Sequence, residues 1–317
     1  MSDVAAAPTS ARLRTYRWAA MASLAYTIPV ILWGAFVRIT GSGAGCGQHW
    51  PTCHGEIVPL EPSLETMVEF THRVTSGICL PLVVVVYALA RGAFPAGHAA
   101  RRYAFLSIVF MVIEALVGAG LVLLEYVGGD TSAARPAWMA GHLLNTYLLT
   151  GVMGLAIWTA HADAAPFRHL AALRAAAPPV RRWALAGAAL LCLVSMTGAV
   201  TALGDTLFPV EGSASLAGRI TGEALGDHFL VRTRAVHPIL ACAASLYLIA
   251  APWDAVRRRA ATALVVAVAV QVVAGFVNIA LSAPGWMQLL HLLLALAVWL
   301  TFAWGVTDRL LRPSERP

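Results

Sequence analysis

Lysine is absent: all 22 basic residues in the 317-residue chain are arginine. A GC-rich coding bias accounts for that usage as well as any function does, so it marks no activity. Charge of either sign is scarce, with 12% of residues charged against 59% hydrophobic and a mean hydropathy of +0.73. A soluble domain needs far more polar surface, and lipid is therefore the solvent for most of this chain. The net charge of +6 does not signal a nucleic-acid partner, because the arginines lie between apolar runs and form no single patch. No small-residue cleavage site follows the first apolar stretch. That stretch is long enough to span a bilayer and runs into a motif-bearing loop, so it reads as a span and not as a cleavable signal.

Apolar runs occur at 16–38, 69–91, 103–125, 136–160, 182–203, 229–252, 259–281 and 285–308. Each is close to the ~20 residues that a crossing requires. The chain therefore reads as an all-α membrane protein with about eight transmembrane helices. With the N-terminus inside, one side of the membrane holds Arg12, Arg14, Arg17, Arg91, Arg101, Arg102, Arg168, Arg174, Arg181 and Arg182. Arg257, Arg258, Arg259, Arg309, Arg312 and Arg316 join that side, and only Arg38, Arg73, Arg135, Arg219, Arg232 and Arg234 fall on the other. This asymmetry predicts that both termini are cytoplasmic.

Two outer connections are long, at 39–68 and 204–228, and each follows the first helix of a set of four. A cytoplasmic link at 161–181, bearing Pro166, Pro178 and Pro179, separates an N-terminal half (1–160) from a C-terminal half (182–317). Short internal matches support two related four-helix bundles. Gly34-Ala35-Phe36-Val37 parallels Gly198-Ala199-Val200, Glu114 to Gly118 parallels Gln271 to Gly275, and Trp138-Met139 parallels Trp286-Met287. Both halves have the same orientation, which implies a pseudo-twofold axis along the membrane normal.

Ten histidines are present, but within the spans lie only His72, His142, His237 and His291. Each sits a few residues inside the outer end of an even-numbered helix. Two imidazoles per half at one membrane depth suit two bis-histidine haem sites, since an iron porphyrin takes one axial nitrogen from each of two facing helices. The bland alternative is a polar core residue bonded to a neighbouring carbonyl, but ionisable groups in lipid are costly and usually functional. Zinc favours three or four ligands with carboxylate or thiolate, whereas these come in pairs. Gly77, Gly141 and Ala241 offer room for a flat macrocycle. For His49, His54, His98, His161, His169 and His228 a solvated surface position is the expectation.

Glu69 precedes His72 by three residues, so the two share a helix face. A carboxylate there can accept a proton or stabilise positive charge on a substrate; the alternative is a first-turn acid favoured by the helix dipole. The position three before His237 is Arg234, which makes the halves chemically unequal. Arg38, Arg73, Arg232 and Arg234 lie near the outer interface, where they suit haem propionates or ordinary snorkelling. Glu114, in mid-span, reads as a structural hydrogen-bond partner across helices.

Of five cysteines, Cys79, Cys192 and Cys242 fall inside spans and read as packing residues. Cys46 and Cys53 flank a Gly- and Pro-containing segment of the first outer loop, where an oxidising exterior favours a disulfide, structural or exchangeable.

Taken together, Val37-Arg38-Ile39-Thr40-Gly41-Ser42-Gly43, the Cys46–Cys53 loop with Trp50-Pro51, Glu69-Phe70-Thr71-His72-Arg73 and four histidines on alternate helices resemble the haem A synthase family across about 16–308. The resemblance implies conversion of haem O to haem A, a porphyrin methyl becoming a formyl group for terminal oxidases, in a bacterial inner membrane. It implies substrate haem O near His72, His142 and catalytic Glu69, and a haem b cofactor ligated by His237 and His291. Haem O synthase and an electron acceptor such as a quinone are the implied partners. The second outer loop has no cysteine, so any second loop disulfide of relatives is missing. A bis-histidine di-haem electron-transfer cytochrome and a haem transporter or assembly chaperone remain alternatives. Prenyltransferases need paired Asp-rich motifs for magnesium and diphosphate, and no such pair occurs here.

Overall fold

A computed structural model describes residues 10–161, 169–210, 214–222, 228–250 and 258–311. Arg168, Arg257, Arg312, Arg316 and Pro166 of the sequence reading lie outside these residues. The order of elements is α1 (Ser10–Ile39), a 3-10 turn (Ser42–Ala44), α2 (Leu64–Ala93), α3 (Ala99–Leu123), α4 (Ala134–Thr159), α5 (His169–Ala175) and α6 (Pro178–Leu207). There follow α7 (Leu216–Thr221), α8 (Phe229–Arg232), α9 (Val236–Ile249), α10 (Arg258–Ala280) and α11 (Gly285–Leu311). No strand forms among the described residues; Cys53 and Glu56 make an isolated bridge. The protein is an all-α, multi-pass membrane protein.

Seven of the described helices are long and apolar enough to cross a bilayer. The sixth apolar run, expected as one helix over 229–252, is instead broken. α8 ends at Arg232 and α9 begins at Val236, with 14 residues, about 21 Å at 1.5 Å per residue. Pro238 explains the break: it has no N–H to donate to the carbonyl of Arg234, and its ring would clash with that carbonyl in a continuous helix. Hydropathy does not register this, because the residues on both sides remain apolar.

In the N-terminal half α1 packs on α2, α2 on α3, α3 on α4 and α4 back on α1. The C-terminal half repeats this circuit with α6, α9, α10 and α11. The two circuits meet through α1 and α4 against α6 and α11. Trp299 of α11 seals that junction by donating from Nε1 to the carbonyl of Tyr147 on α4 at 2.7 Å. Tyr147, Trp183, Leu191, Leu248, Leu264, Leu296 and Phe302 close around it. Ile78, Phe105, Leu116, Leu185, Ile239 and Val273 are exposed, as side chains facing lipid should be.

Candidate functional site

The four intramembrane histidines share one local construction. A Cβ added at Gly34 of α1 would lie 2.9 Å from His72 Cε1, and one at Gly118 of α3 would lie 3.5 Å from His142 Cε1. A Cβ at Gly198 of α6 would lie 3.0 Å from His237 Cε1, and one at Gly275 of α10 would lie 3.2 Å from His291 Cε1. Each ring on an even-numbered span thus rests against a glycine of the span before it. The repeated Gly34/Gly198 and Gly118/Gly275 positions are the seats of the histidines. Gly77 and Gly141, expected to make room for a macrocycle, touch no ring, and a Cβ at either meets nothing within 4 Å.

All four histidines line a single cavity of about 710 Å³ that reaches into both halves, within the range of ligand-binding pockets. The His237 and His291 ring centres are 6.3 Å apart with planes at 90°. Two metal–imidazole bonds of about 2 Å, plus roughly 1.1 Å from each nitrogen to its ring centre, would give about 6.2 Å across one metal held by both rings. Nδ1 of His72, His142 and His291 is buried with no hydrogen-bond partner among the described residues. These nitrogens are sealed by the surrounding protein and do not open onto the cavity, so each unpartnered one is a cost of the site. Some ring nitrogens have polar neighbours: Thr197 Oγ1 lies 3.4 Å from His237 Nδ1, and Gln271 Nε2 lies 3.2 Å from His291 Nε2. Glu114 Oε1 lies 3.4 Å from His142 Nε2. With all four rings on the wall of one cavity and the His237–His291 spacing matching two imidazoles on one metal, the residues present fit an iron porphyrin.

The polar end of the cavity is built around the first long loop. Ser63 caps α2, its side chain accepting from Thr66 N at 3.2 Å, and the first-turn acid is Glu65. Glu69 is therefore a full turn further in, and the first-turn explanation of this residue fails. Its side chain is 3% exposed and lines the cavity. Cys46 N donates to Glu69 Oε2 at 2.8 Å, and Arg73 Nε donates to Oε1 at 3.0 Å. Arg73 also donates to the carbonyls of His49 and Thr52. Glu69 and Arg73 together clamp the Cys46–Cys53 disulfide loop onto α2, which brings Trp50 and Pro51 to the cavity wall.

The second half answers with opposite polarity. Arg234 is 2% exposed; its Nε lies 3.3 Å from Asp205 Oδ1, and it donates to the carbonyls of Gly204 and Phe208 at the end of α6. Its Nη1 has no partner among the described residues. Arg38 reaches from α1 to the Ala202 carbonyl at 2.7 Å, to Thr206, and to Gln288 Oε1 at 2.8 Å, so it ties the halves together beside the cavity. Arg38, Arg73 and Arg234 line the cavity, but Arg232 is exposed and does not. It lies on the one-turn helix α8, exposed and away from the cavity wall.

Arg135 is a further buried arginine at the wall. It is 4% exposed, lines the cavity, and donates to the carbonyls of Gly128 and Asp130, with Nε left without a partner. Sequence reasoning assigned no role to Arg135 or Asp205, whose only signal was charge next to a span. His98 is a further correction: it is buried, caps α3 through Ala100 N and stacks on Phe94 at 4.3 Å. Cys79 is buried as expected, Cys192 is half-buried, and Cys242 is exposed.

Comparison with known proteins accords with this site. Residues 16–303 match the model of the COX15-CtaA family, described as cytochrome oxidase assembly protein. A Protoheme IX farnesyltransferase of Thermus thermophilus is 43% identical over 322 residues, covering 98% of this chain and 50% of that protein; the chain thus spans about half the length of this relative. Heme A synthase of Exiguobacterium sibiricum is 43% identical over 94 residues, 30% of this chain and 32% of that protein. Heme A synthase of Bacillus mycoides is 41% identical over 110 residues, 35% of each chain. A match running from the first span into the last, over a cavity walled by all four histidines, leaves one conclusion: the chain belongs to the COX15-CtaA family of cytochrome oxidase assembly proteins.

Proposed function

We propose that this protein is a haem A synthase, an oxidoreductase that converts the porphyrin methyl group of haem O to a formyl group. The observation that carries the reading is the pair of histidine–glycine constructions around one cavity, with a carboxylate one turn before the first histidine in only one of them. Haem O is the substrate of the N-terminal half (1–160), between His72 and His142. A resident haem b belongs to the C-terminal half (182–317), between His237 and His291, and when bound it supplies one-electron redox chemistry. The farnesyl-transfer name of the Thermus relative is not carried over, because this chain has no paired Asp-rich motifs.

The chain's own residues have distinct tasks. His72 and His142 orient the substrate so that its edge lies near Glu69, one helical turn from His72. Going from methyl to formyl with oxygen entering at the level of water releases four electrons and four protons, enough to reduce two quinones, so protons must leave the methyl carbon. Glu69, fixed by Cys46 N and Arg73, takes up a proton or stabilises positive charge at that carbon in a site of low dielectric. Arg38, Arg73, Arg135 and Arg234 hold propionates through charge-assisted bonds. A membrane quinone is the class of electron acceptor, and haem O synthase is the partner that delivers substrate. The reading places the protein in a bacterial inner membrane with cytoplasmic termini and the haem sites toward the outer face.

Porphyrin extraction and mass analysis of the purified protein test this. Haem B together with haem O or haem A supports the reading, while haem B alone favours the di-haem electron-transfer cytochrome. Glu69→Gln sharpens the test, because glutamine still accepts the Cys46 N–H while it loses the charge and the ion pair with Arg73. The variant should keep its fold and C-terminal haem and lose most haem A formation, with a hydroxylated intermediate accumulating. A near-normal haem A yield would reduce Glu69 to an anchor for the loop.

A further inference from the structure

On α2, His72, Ser76 and Leu80 line the cavity, while Val74, Ile78 and Val85 are exposed on the outer face. At about 100° per residue, Gly77 falls on the edge between these two faces. The other edge of α2 meets α1, where Trp33 Nε1 donates to the Val68 carbonyl at 3.0 Å and Tyr26 donates to the Thr75 carbonyl at 3.2 Å. Gly77 therefore lies on the side toward α3. On α3 the edge toward α4 carries the Phe110 carbonyl, which accepts from Asn145, and Ala115 lies on the opposite edge, toward α2. Gly77 and Ala115 are both exposed and both line the cavity, and a Cβ at Gly77 would meet nothing within 4 Å. Toward the other end of the two helices Tyr87 and Phe105 shut this seam, their ring centroids 5.6 Å apart.

The C-terminal half puts larger side chains at the same places. Gly77 and Cys242 each stand five residues after a histidine, and Ala115 and Val272 each stand three before a glycine that seats one. Directly after those glycines come Ala119 and Phe276. Ala119 is buried and off the cavity wall, whereas Phe276 is 56% exposed and lines the cavity with Cys242 and Val272. We infer that the seam between the second and third spans is where haem passes between lipid and cavity, open at Gly77 and Ala115 to a haem with a long isoprenoid tail and narrowed by Cys242, Val272 and Phe276 around a haem that stays. The inference rests on the haem reading above. Haem O carries such a tail, and its transfer into water is unfavourable. A seam at membrane depth admits the ring while the tail remains in hydrocarbon. A substrate must enter and leave at every turnover and a resident cofactor must not, which is the difference between the two seams.

Haem capture by excess apomyoglobin from the purified, haem-loaded protein in lipid nanodiscs tests this. Two phases are expected, and the slow one is assigned to the C-terminal half by its absence in His237→Ala. Phe276→Ala should speed the slow phase about tenfold, through lost apolar contact and a wider exit, and leave the fast phase alone. Ala115→Phe should slow the fast phase. Val273→Ala, exposed on the same helix and off the cavity wall, should change neither. If Phe276→Ala does not load, Ala115→Phe still decides the matter. An unmoved slow phase in loaded Phe276→Ala, an unmoved fast phase in Ala115→Phe, or equal acceleration by Val273→Ala overturns the inference. Extraction of the same samples separates the two claims. Haem B alone with the expected rate changes rejects the substrate reading and keeps the seam; haem O or A with unmoved rates does the reverse.

Discussion

Both halves hold two histidines against two glycines, yet the groups above them are of opposite sign. In the N-terminal half the residue three before the first histidine is Glu69, on a continuous 30-residue helix, with Arg73 as partner on the same helix. In the C-terminal half it is Arg234, in the break between α8 and α9, with Asp205 of α6 as partner. The polarity of each pair is reversed and its connectivity differs: local within α2, but between elements in the second half. The histidine–glycine frame survives both arrangements. What the two frames share is therefore a flat ring seated on a helix position without a side chain, while the charged group above it differs between the halves.

Breaking the frame should produce the largest effect. His237→Ala or His291→Ala should abolish a low-spin haem spectrum from the C-terminal half while leaving pigment bound at His72 and His142. An unchanged spectrum in both variants would rule out the ligand assignment. Next comes the charge above the frame. Arg234→Gln leaves Asp205 without its buried partner and should cost about 3–5 kcal/mol, while the exposed Arg232→Gln should stay within about 0.5 kcal/mol. Thermal unfolding in detergent compares the two, and equal losses would contradict the different placement of these arginines. The smallest effects come from the glycines. Gly34→Ala puts a Cβ 2.9 Å from the His72 ring and should cost about 1–3 kcal/mol through crowding. Gly118→Ala meets His142 at 3.5 Å, an ordinary contact, and should be neutral or gain about 0.5 kcal/mol from helix propensity. Haem retention and melting temperature read both, and a reversed order would refute the seat.

The spans, the candidate histidines and the loop disulfide were legible because each is written locally. Hydropathy summed over about twenty residues reports a crossing whatever the neighbours are. A histidine inside such a run is conspicuous by itself, and two cysteines seven positions apart can meet without help from the rest of the chain. The glycine repeats were visible as letters, but their purpose was not, since nothing in a one-dimensional match says that Gly34 faces His72. Arg135 and Arg232 looked alike as charges beside spans, and only their surroundings separate them.

The sequence by itself determined the solvent, the class of fold, the four histidines and the unequal residues at 69 and 234. These follow from composition, from periodicity and from chemistry that a residue carries wherever it sits. Tertiary structure alone decided that Arg38 bridges to Ala202, Thr206 and Gln288, that Asp205 neutralises Arg234, and that Glu114 and Gln271 each reach a histidine. Such contacts join residues far apart in the chain. They depend on how each helix is rotated and displaced against its neighbours, a matter of a few ångströms that packing sets and hydropathy does not record.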